Sequence, residues 1–274
     1  MKKQKKHLWG VYLTLSLAAA FFLLPVLWVV LSSFKAGTEL YHWPPTLLPK
    51  NFSLGNYQAA FDKGNFALYF GNSALVTVAS TLLTLLINTM AGFALAKYQF
   101  KGRNAILIGF VSTLMIPLEV IMIPIFTVIS QLKLYNNYLG IIIPPAATPT
   151  GLFLVRQYLL TVPNELLESA RIDGAGEWKI FWRLIVPIAK PILATLAIFS
   201  FTWRWNDFLW PLLVIGKPEM YTIQLALSNF IGEFNVDWNG LLAMSVVTML
   251  PVLVMFLIFQ KQFVKGMATS GMKL

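Results

Sequence analysis

The chain has 274 residues, of which 57% are hydrophobic, 14% aromatic and only 12% charged, with a formal net charge of +10 and no cysteine. A soluble domain carries roughly 25% charged residues, so this balance excludes an ordinary soluble enzyme and predicts an all-α integral membrane protein. The lack of cysteine removes disulfides and thiolate metal sites.

A helix that crosses a bilayer needs about 20 apolar residues. Six runs meet that length. Residues 8–34, 66–96, 134–155 and 238–260 contain no Asp, Glu, Lys or Arg, while 104–131 has only Glu119 and 192–215 only Arg204 and Asp207. They are too long and continuous for barrel strands, so six transmembrane helices are expected. The first run follows Lys2, Lys3, Lys5 and Lys6 and is about twice as long as the apolar region of a signal peptide. It reads as an uncleaved span.

Residues 35–65 follow, rich in Pro and aromatics (Trp43, Pro44, Pro45, Pro49, Tyr57). They are too long for a hairpin and too short for a domain, and are expected to pack across the outer mouth. Further on, Pro117, Pro124, Pro144, Pro145, Pro149, Pro187, Pro191, Pro211 and Pro251 fall in or beside the spans. In a bundle, neighbours can re-satisfy the carbonyls that proline frees, so kinked helices around a cavity are expected.

The basic residues set the orientation. Lys97, Lys101, Arg103, Arg156, Arg171, Lys179, Arg183, Lys190, Lys261, Lys265 and Lys273 fall on the same side as the N-terminal lysines. Lys35, Lys50, Lys63, Lys133 and Lys217 fall on the other. By the positive-inside rule both termini are cytoplasmic. The charge of +10 is then a topology signal, and no nucleic-acid partner is needed to explain it.

Residues 163–177 form the only charge-dense island between apolar runs. Pro163 suits a first helical turn, Glu165 and Glu168 favour the positive end of a helix dipole, and Ser169 and Ala170 are small enough for close approach. Gly174, between Asp173 and Ala175, is placed to end the helix at positive φ. A second helix then carries Trp178, Phe181, Trp182 and Ile185 as one apolar stripe. Two readings of that second helix stay open: docking to a soluble partner, or lying in the lipid headgroups. The acidic first helix suits an anionic membrane surface poorly.

In the fifth run, Trp203, Asn206, Asp207 and Trp210 fall on one face of an ideal helix. Indoles beside an amide and a carboxylate match what a sugar offers; an outer aromatic belt is the alternative. With Glu119 these residues form the expected translocation pathway. The tail 265–274, with Gly266, Ser270 and Gly271, is a poor autonomous helix.

No phosphate-binding loop, His/Cys cluster or G-x-S-x-G elbow occurs. No catalytic residue, cofactor or metal site is therefore expected, and transport energy must come from a gradient or another subunit. A gradient-driven carrier using Glu119 or Asp207 is one alternative, though ionisable groups in the spans are few for a proton or sodium relay. A membrane scaffold recruiting a soluble protein is another.

Glu168-Ser169-Ala170, Asp173-Gly174-Ala175 and Pro187 resemble the EAA loop of the permease subunits of binding-protein-dependent ABC importers. The run 117–124, Arg156-Gln157-Tyr158, the segment 205–211 and Phe263-Val264-Lys265-Gly266 are similar to the carbohydrate uptake branch, on the side of the second maltose permease subunit. Ser169 stands where that family usually has Ala. The resemblance implies a six-span type I importer permease (MetI-like) fold with cytoplasmic coupling helices in a prokaryotic inner membrane. It further implies that residues 71–260 form the transmembrane domain with the loop at 163–187, preceded by a first helix and outer loop (1–70) and followed by a cytoplasmic tail (261–274). Glu165, Glu168, Ser169, Ala170, Asp173, Gly174 and Ala175 would couple to a dimer of ATP-binding subunits, and the tail would reach the interface of that dimer. A second permease subunit, an extracytoplasmic sugar-binding protein and membrane lipid are the other implied partners.

Overall fold

The computed structural model describes residues 2–232 and 235–271, with side chains over 9–232 and 235–261. Among the described residues regular structure is helical, apart from isolated bridges pairing Lys35 with Phe52 and Ile231 with Val236. In chain order the helices are α1 (Lys2–Ser33), α2 (Gly55–Lys63), α3 (Phe66–Lys97), α4 (Arg103–Ser112), α5 (Leu118–Gln131), α6 (Tyr138–Ile142) and α7 (Pro149–Leu160). They continue as α8 (Glu165–Ile172), α9 (Glu177–Ile188), α10 (Lys190–Trp205), α11 (Leu209–Val214), α12 (Ile223–Leu227) and α13 (Trp238–Gly271).

Three of the six expected spans are continuous: Trp9–Ser33, Phe66–Lys97 and Trp238–Lys261. The other three are broken. Arg103–Met115 turns by 111° into Leu118–Gln131 and Tyr138–Ala146 by 42° into Pro149–Leu160, while the fifth run breaks after Trp205; Glu177–Ile188, which precedes that run, meets Lys190–Trp205 at 78°. Pro117 and Pro149 sit at the first two breaks, as N-cap of α5 and first residue of α7, where their missing N–H groups cost no helical bond. The fifth run is not one helix to residue 215, because α10 stops at Trp205 and the chain restarts at Leu209. The helix of α13 continues to Gly271, past the glycine expected to weaken it. The tail's expected role beyond residue 261 lies outside the described side chains, and residues 272–274 lie outside the described residues altogether.

The chain forms two compact units, residues 1–67 with 226–250, and residues 68–225 with 251–274. In the first unit, the segment after α1 is organised around buried polar groups. Lys35, 1% exposed, donates Nζ to the Thr46 carbonyl at 2.5 Å. Glu39 accepts from Thr46 Oγ1 at 3.0 Å and from the Lys50 amide at 2.9 Å. Asn56 Nδ2 donates to the carbonyls of Ser33 and Lys35 at 2.9 and 2.7 Å. Lys63 pairs with Asp237, which ties α2 to the start of α13.

In the second unit α3 is the spine. Gly92 allows α7 to approach: a Cβ there would stand 2.7 Å from Val155 Cγ1. The irregular stretch between α6 and α7 is satisfied by α3 side chains. Thr84 Oγ1 donates to the Pro145 carbonyl at 3.2 Å, Asn88 Nδ2 to that of Ala146 at 3.1 Å, and Asn88 Oδ1 accepts from the Thr148 amide at 3.2 Å. Backbone that proline leaves unpaired is thus re-paired from a neighbouring helix, which is what makes a broken span tolerable in lipid.

Candidate docking and translocation sites

The island at 163–188 folds as two helices joined at a glycine. Pro163 lies just outside the N-cap Asn164 rather than in the first turn of α8. At the other end Gly174 takes φ +76°. Its amide donates to the Arg171 carbonyl at 3.0 Å and the Ala175 amide to that of Ala170 at 2.9 Å, the paired bonds of a Schellman cap. Leu167 is buried, with Ala170 and Ala175 half-buried against the same core, which contains Phe93 of α3, Val155 and Leu159 of α7 and Ile180, Phe181 and Ile185 of α9. Glu165, Leu166, Glu168, Ser169, Ile172 and Asp173 are exposed on the outer side. Among the described residues no ion pair engages Glu165, Glu168 or Asp173. The helix therefore offers exposed carboxylates, Glu165 within the field of Lys97, from a backbone seated on that core.

Residues that the sequence marked only as topology signals, or not at all, fix this pair to α3. Lys97 Nζ donates to the Val162 carbonyl and, at 2.9 Å, to Asn164 Oδ1. The Tyr98 hydroxyl donates to Glu177 Oε2, and Arg171 Nε donates to Glu177 Oε1 at 2.8 Å while its guanidinium lies 5.8 Å from the Tyr98 ring centre. The Arg171 hydrogen bond, and then that of Tyr98, hold the Glu177 carboxyl below its ordinary pKa. Burial, and then the neighbouring carboxylate, push the Tyr98 phenol up to about 12. The spacing of Arg171 and Glu177 across a glycine turn was the one sequence signal for this link; Tyr98 had none.

The expected apolar stripe of α9 divides. Phe181 and Ile185 are buried together with Ile180, whereas Trp178 and Trp182 are 66% and 53% exposed. A π-helical stretch at Phe181–Ile185 shifts the phase along the helix, and the core takes only one edge of the stripe.

The face predicted at 203–210 also divides, since it assumed an unbroken helix. Trp203 is 55% exposed near the end of α10. Asn206 follows the last helical residue, donates Nδ2 to the Thr202 carbonyl at 2.9 Å and accepts at Oδ1 from Gln224 Nε2 at 3.2 Å. Asp207 accepts from the Trp210 amide at 3.3 Å and lies 3.7 Å from Arg204 Nη1. Trp210 is turned into the interior, donating Nε1 to the Gly140 carbonyl at 3.0 Å. A cavity of about 120 Å³ lies beside Trp203 and Arg204, with Thr84, Thr148 and Ser200 also in its wall. Glu119 is exposed in the first turn of α5, on another element. Among the described residues no cluster of His, Cys, Asp or Glu could hold a metal ion.

Apolar helices interrupted by breaks, beside an exposed acidic helix seated on a buried core, define the class as a polytopic membrane protein. Residues 88–269 match the family described as binding-protein-dependent transport system inner membrane component. Over 278 residues the chain is 36% identical to the arabinooligosaccharides transport system permease protein AraQ of Halalkalibacterium halodurans, covering 100% of both chains. It is 33% identical to the sn-glycerol-3-phosphate transport system permease protein UgpE of Pectobacterium atrosepticum, covering 90% of this chain and 92% of the relative. A crystal structure of a bacterial ABC transporter involved in the import of the acidic polysaccharide alginate contains a chain that matches with a TM-score of 0.83 at 25% identity, covering 94% of this chain and 98% of that one. The chain belongs to the family of inner membrane components of binding-protein-dependent transport systems. It is a non-catalytic permease subunit of an ABC importer, located in the membrane.

Proposed function

We propose that this permease moves a sugar, as a mono- or oligosaccharide, into the cytoplasm by alternating access, driven by ATP hydrolysis in a partner subunit. The observation that carries the reading is α8, whose Glu165, Glu168 and Asp173 are exposed and, among the described residues, in no ion pair, while Leu167 and the Gly174 cap fix their backbone. With Ser169, Ala170 and Ala175 this surface couples to a dimer of ATP-binding subunits. A second permease subunit completes the route and an extracytoplasmic binding protein delivers the cargo. Family membership supports this reading over a gradient-driven carrier using Glu119 or Asp207. The relatives' names, which include arabinooligosaccharides and diacetylchitobiose, support a carbohydrate. The lysine and arginine distribution supports cytoplasmic termini.

Trp203, Asn206 and Asp207 contribute to the translocation pathway. Their support is the exposure of Trp203 and Asn206 and the adjoining cavity, where Ser200 Oγ and Arg204 Nε find no hydrogen-bond partner among the described residues. Trp210 serves that path by holding the turn from behind, and Glu119 contributes from the first turn of α5.

The test is ATP-driven uptake of labelled oligosaccharide in vesicles that hold the chain with the subunits that co-purify with it. Glu168→Lys should insert normally and abolish uptake, with loss of the co-purifying ATPase or of its stimulation by the binding protein. Undiminished uptake by that variant would remove α8 from the coupling surface.

A further inference from the structure

We infer that α9 is a bilayer-surface anchor, whose exposed face rests in the anionic headgroup layer beside the entry point of α10, while α8 alone meets the soluble partner. The inference goes beyond the coupling role proposed for α8 and requires only that α10 crosses the membrane.

Three observations converge on it. The first is direction. The axis of α9 turns by 78° into α10; spans tilt on average about 20° from the bilayer normal, so a helix nearly perpendicular to one of them lies closer to the membrane plane than to the normal. Only Ala189 separates the two helices, so α9 begins its course at the depth where α10 enters the bilayer.

The second is the exposed face. Trp178 and Trp182, four residues apart, share one side of the helix, as do Lys179 and Arg183, and all four are exposed. Both indoles pack edge-on against buried Phe181, at 6.3 and 5.1 Å between ring centres, which leaves their outer surfaces facing away from the protein. Indoles with basic residues are the set that favours the interface of an anionic leaflet.

The third is charge. Glu177, the acid of α9, is engaged by Arg171 and Tyr98, whereas no ion pair among the described residues neutralises Lys179 or Arg183. The outer face of α9 is therefore basic and that of α8 acidic. A single anionic surface would attract one and repel the other, so the two helices are suited to different partners across the Gly174 turn.

The native chain contains no cysteine, so the variants Ile172→Cys, Trp178→Cys and Trp182→Cys each carry a single thiol to spin-label once the companion subunits are made free of accessible cysteine. They would be labelled in the transporter purified with its companion subunits and reconstituted in phosphatidylcholine vesicles containing phosphatidylglycerol. Collisions with oxygen should exceed those with a water-soluble nickel chelate at positions 178 and 182, whereas a label at 172, on the outer side of α8, should be shielded from both by the soluble partner. A label at 178 and 182 shielded from both relaxants would assign the face to a protein partner and overturn the inference; dominance of the nickel chelate there would place it in water and do the same. As a second measurement, uptake by the native transporter should rise with phosphatidylglycerol content, and the double variant Lys179→Glu/Arg183→Glu should lose that rise. Equal slopes would overturn the electrostatic anchoring.

Discussion

Two segments outside the spans are held in place by opposite chemistry. Residues 35–65 fold around Lys35, Glu39 and Asn56, buried polar groups whose hydrogen bonds close a loop poor in inward apolar side chains. The α8–α9 pair instead rests on Leu167, Ile180, Phe181 and Ile185, and its polar links lie at the surface. The difference bears on what each region tolerates. A polar staple fails when one member leaves, because the partners stay buried and unpaired; an apolar seat loses stability in proportion to the volume removed, and its outer face is free to carry charge for another purpose.

Variants can break this contrast in descending order of effect. Leu167→Ala removes the deepest anchor of α8, at 2% exposure, and should cost about 3 kcal/mol of local stability. Hydrogen exchange should rise across α8 and uptake should fall while insertion persists; unchanged exchange would show that the seat is not apolar packing.

Asn56→Ala leaves the carbonyls of Ser33 and Lys35 without their donor and should cost about 2 kcal/mol. Proteolysis within 35–65 should accelerate with no change across α8 and α9, and simultaneous loosening of both regions would contradict independent anchoring.

In Gly174→Val the added Cβ meets no atom of the described residues within 4 Å, so the expected penalty is backbone strain at φ +76°, about 1–2 kcal/mol. Uptake should drop more than detergent stability, since the cap orients α8 without holding the fold. Equal losses in both would indicate a structural role instead.

The smallest effect is expected from Tyr98→Phe, which removes one partly exposed hydrogen bond to Glu177. Solute moved per ATP should fall modestly while expression holds. Glu177 has a lowered pKa, so its contribution is present at neutral pH and is lost as pH falls through that lowered value. A variant as well coupled as the native chain at neutral pH would show that Lys97 and the apolar seat suffice.

Much of this was readable in the chain because it depends on neighbours in sequence. Length and apolarity located the spans, and Gly174 between Asp173 and Ala175 marked the end of α8. Pro117 was visible, but whether it kinks or breaks a span depends on what re-pairs the backbone. For Pro145 that partner is Thr84, 61 residues away.

The sequence by itself determined the membrane class, the helical content, the segment that carries the acidic face and the family to which those residues point, since hydrophobicity, charge and glycine stereochemistry act over a few residues. The tertiary structure alone decided which half of the α9 stripe is buried, that Trp210 turns inward to Gly140 while Trp203 stays exposed, and that Tyr98 joins α3 to the Arg171–Glu177 pair. An ideal periodicity of 100° per residue assumes an unbroken helix, and α9 carries a π-helical stretch while α10 ends at Trp205. Where a helix changes pitch or stops, the direction of each side chain is set by the helices packed around it.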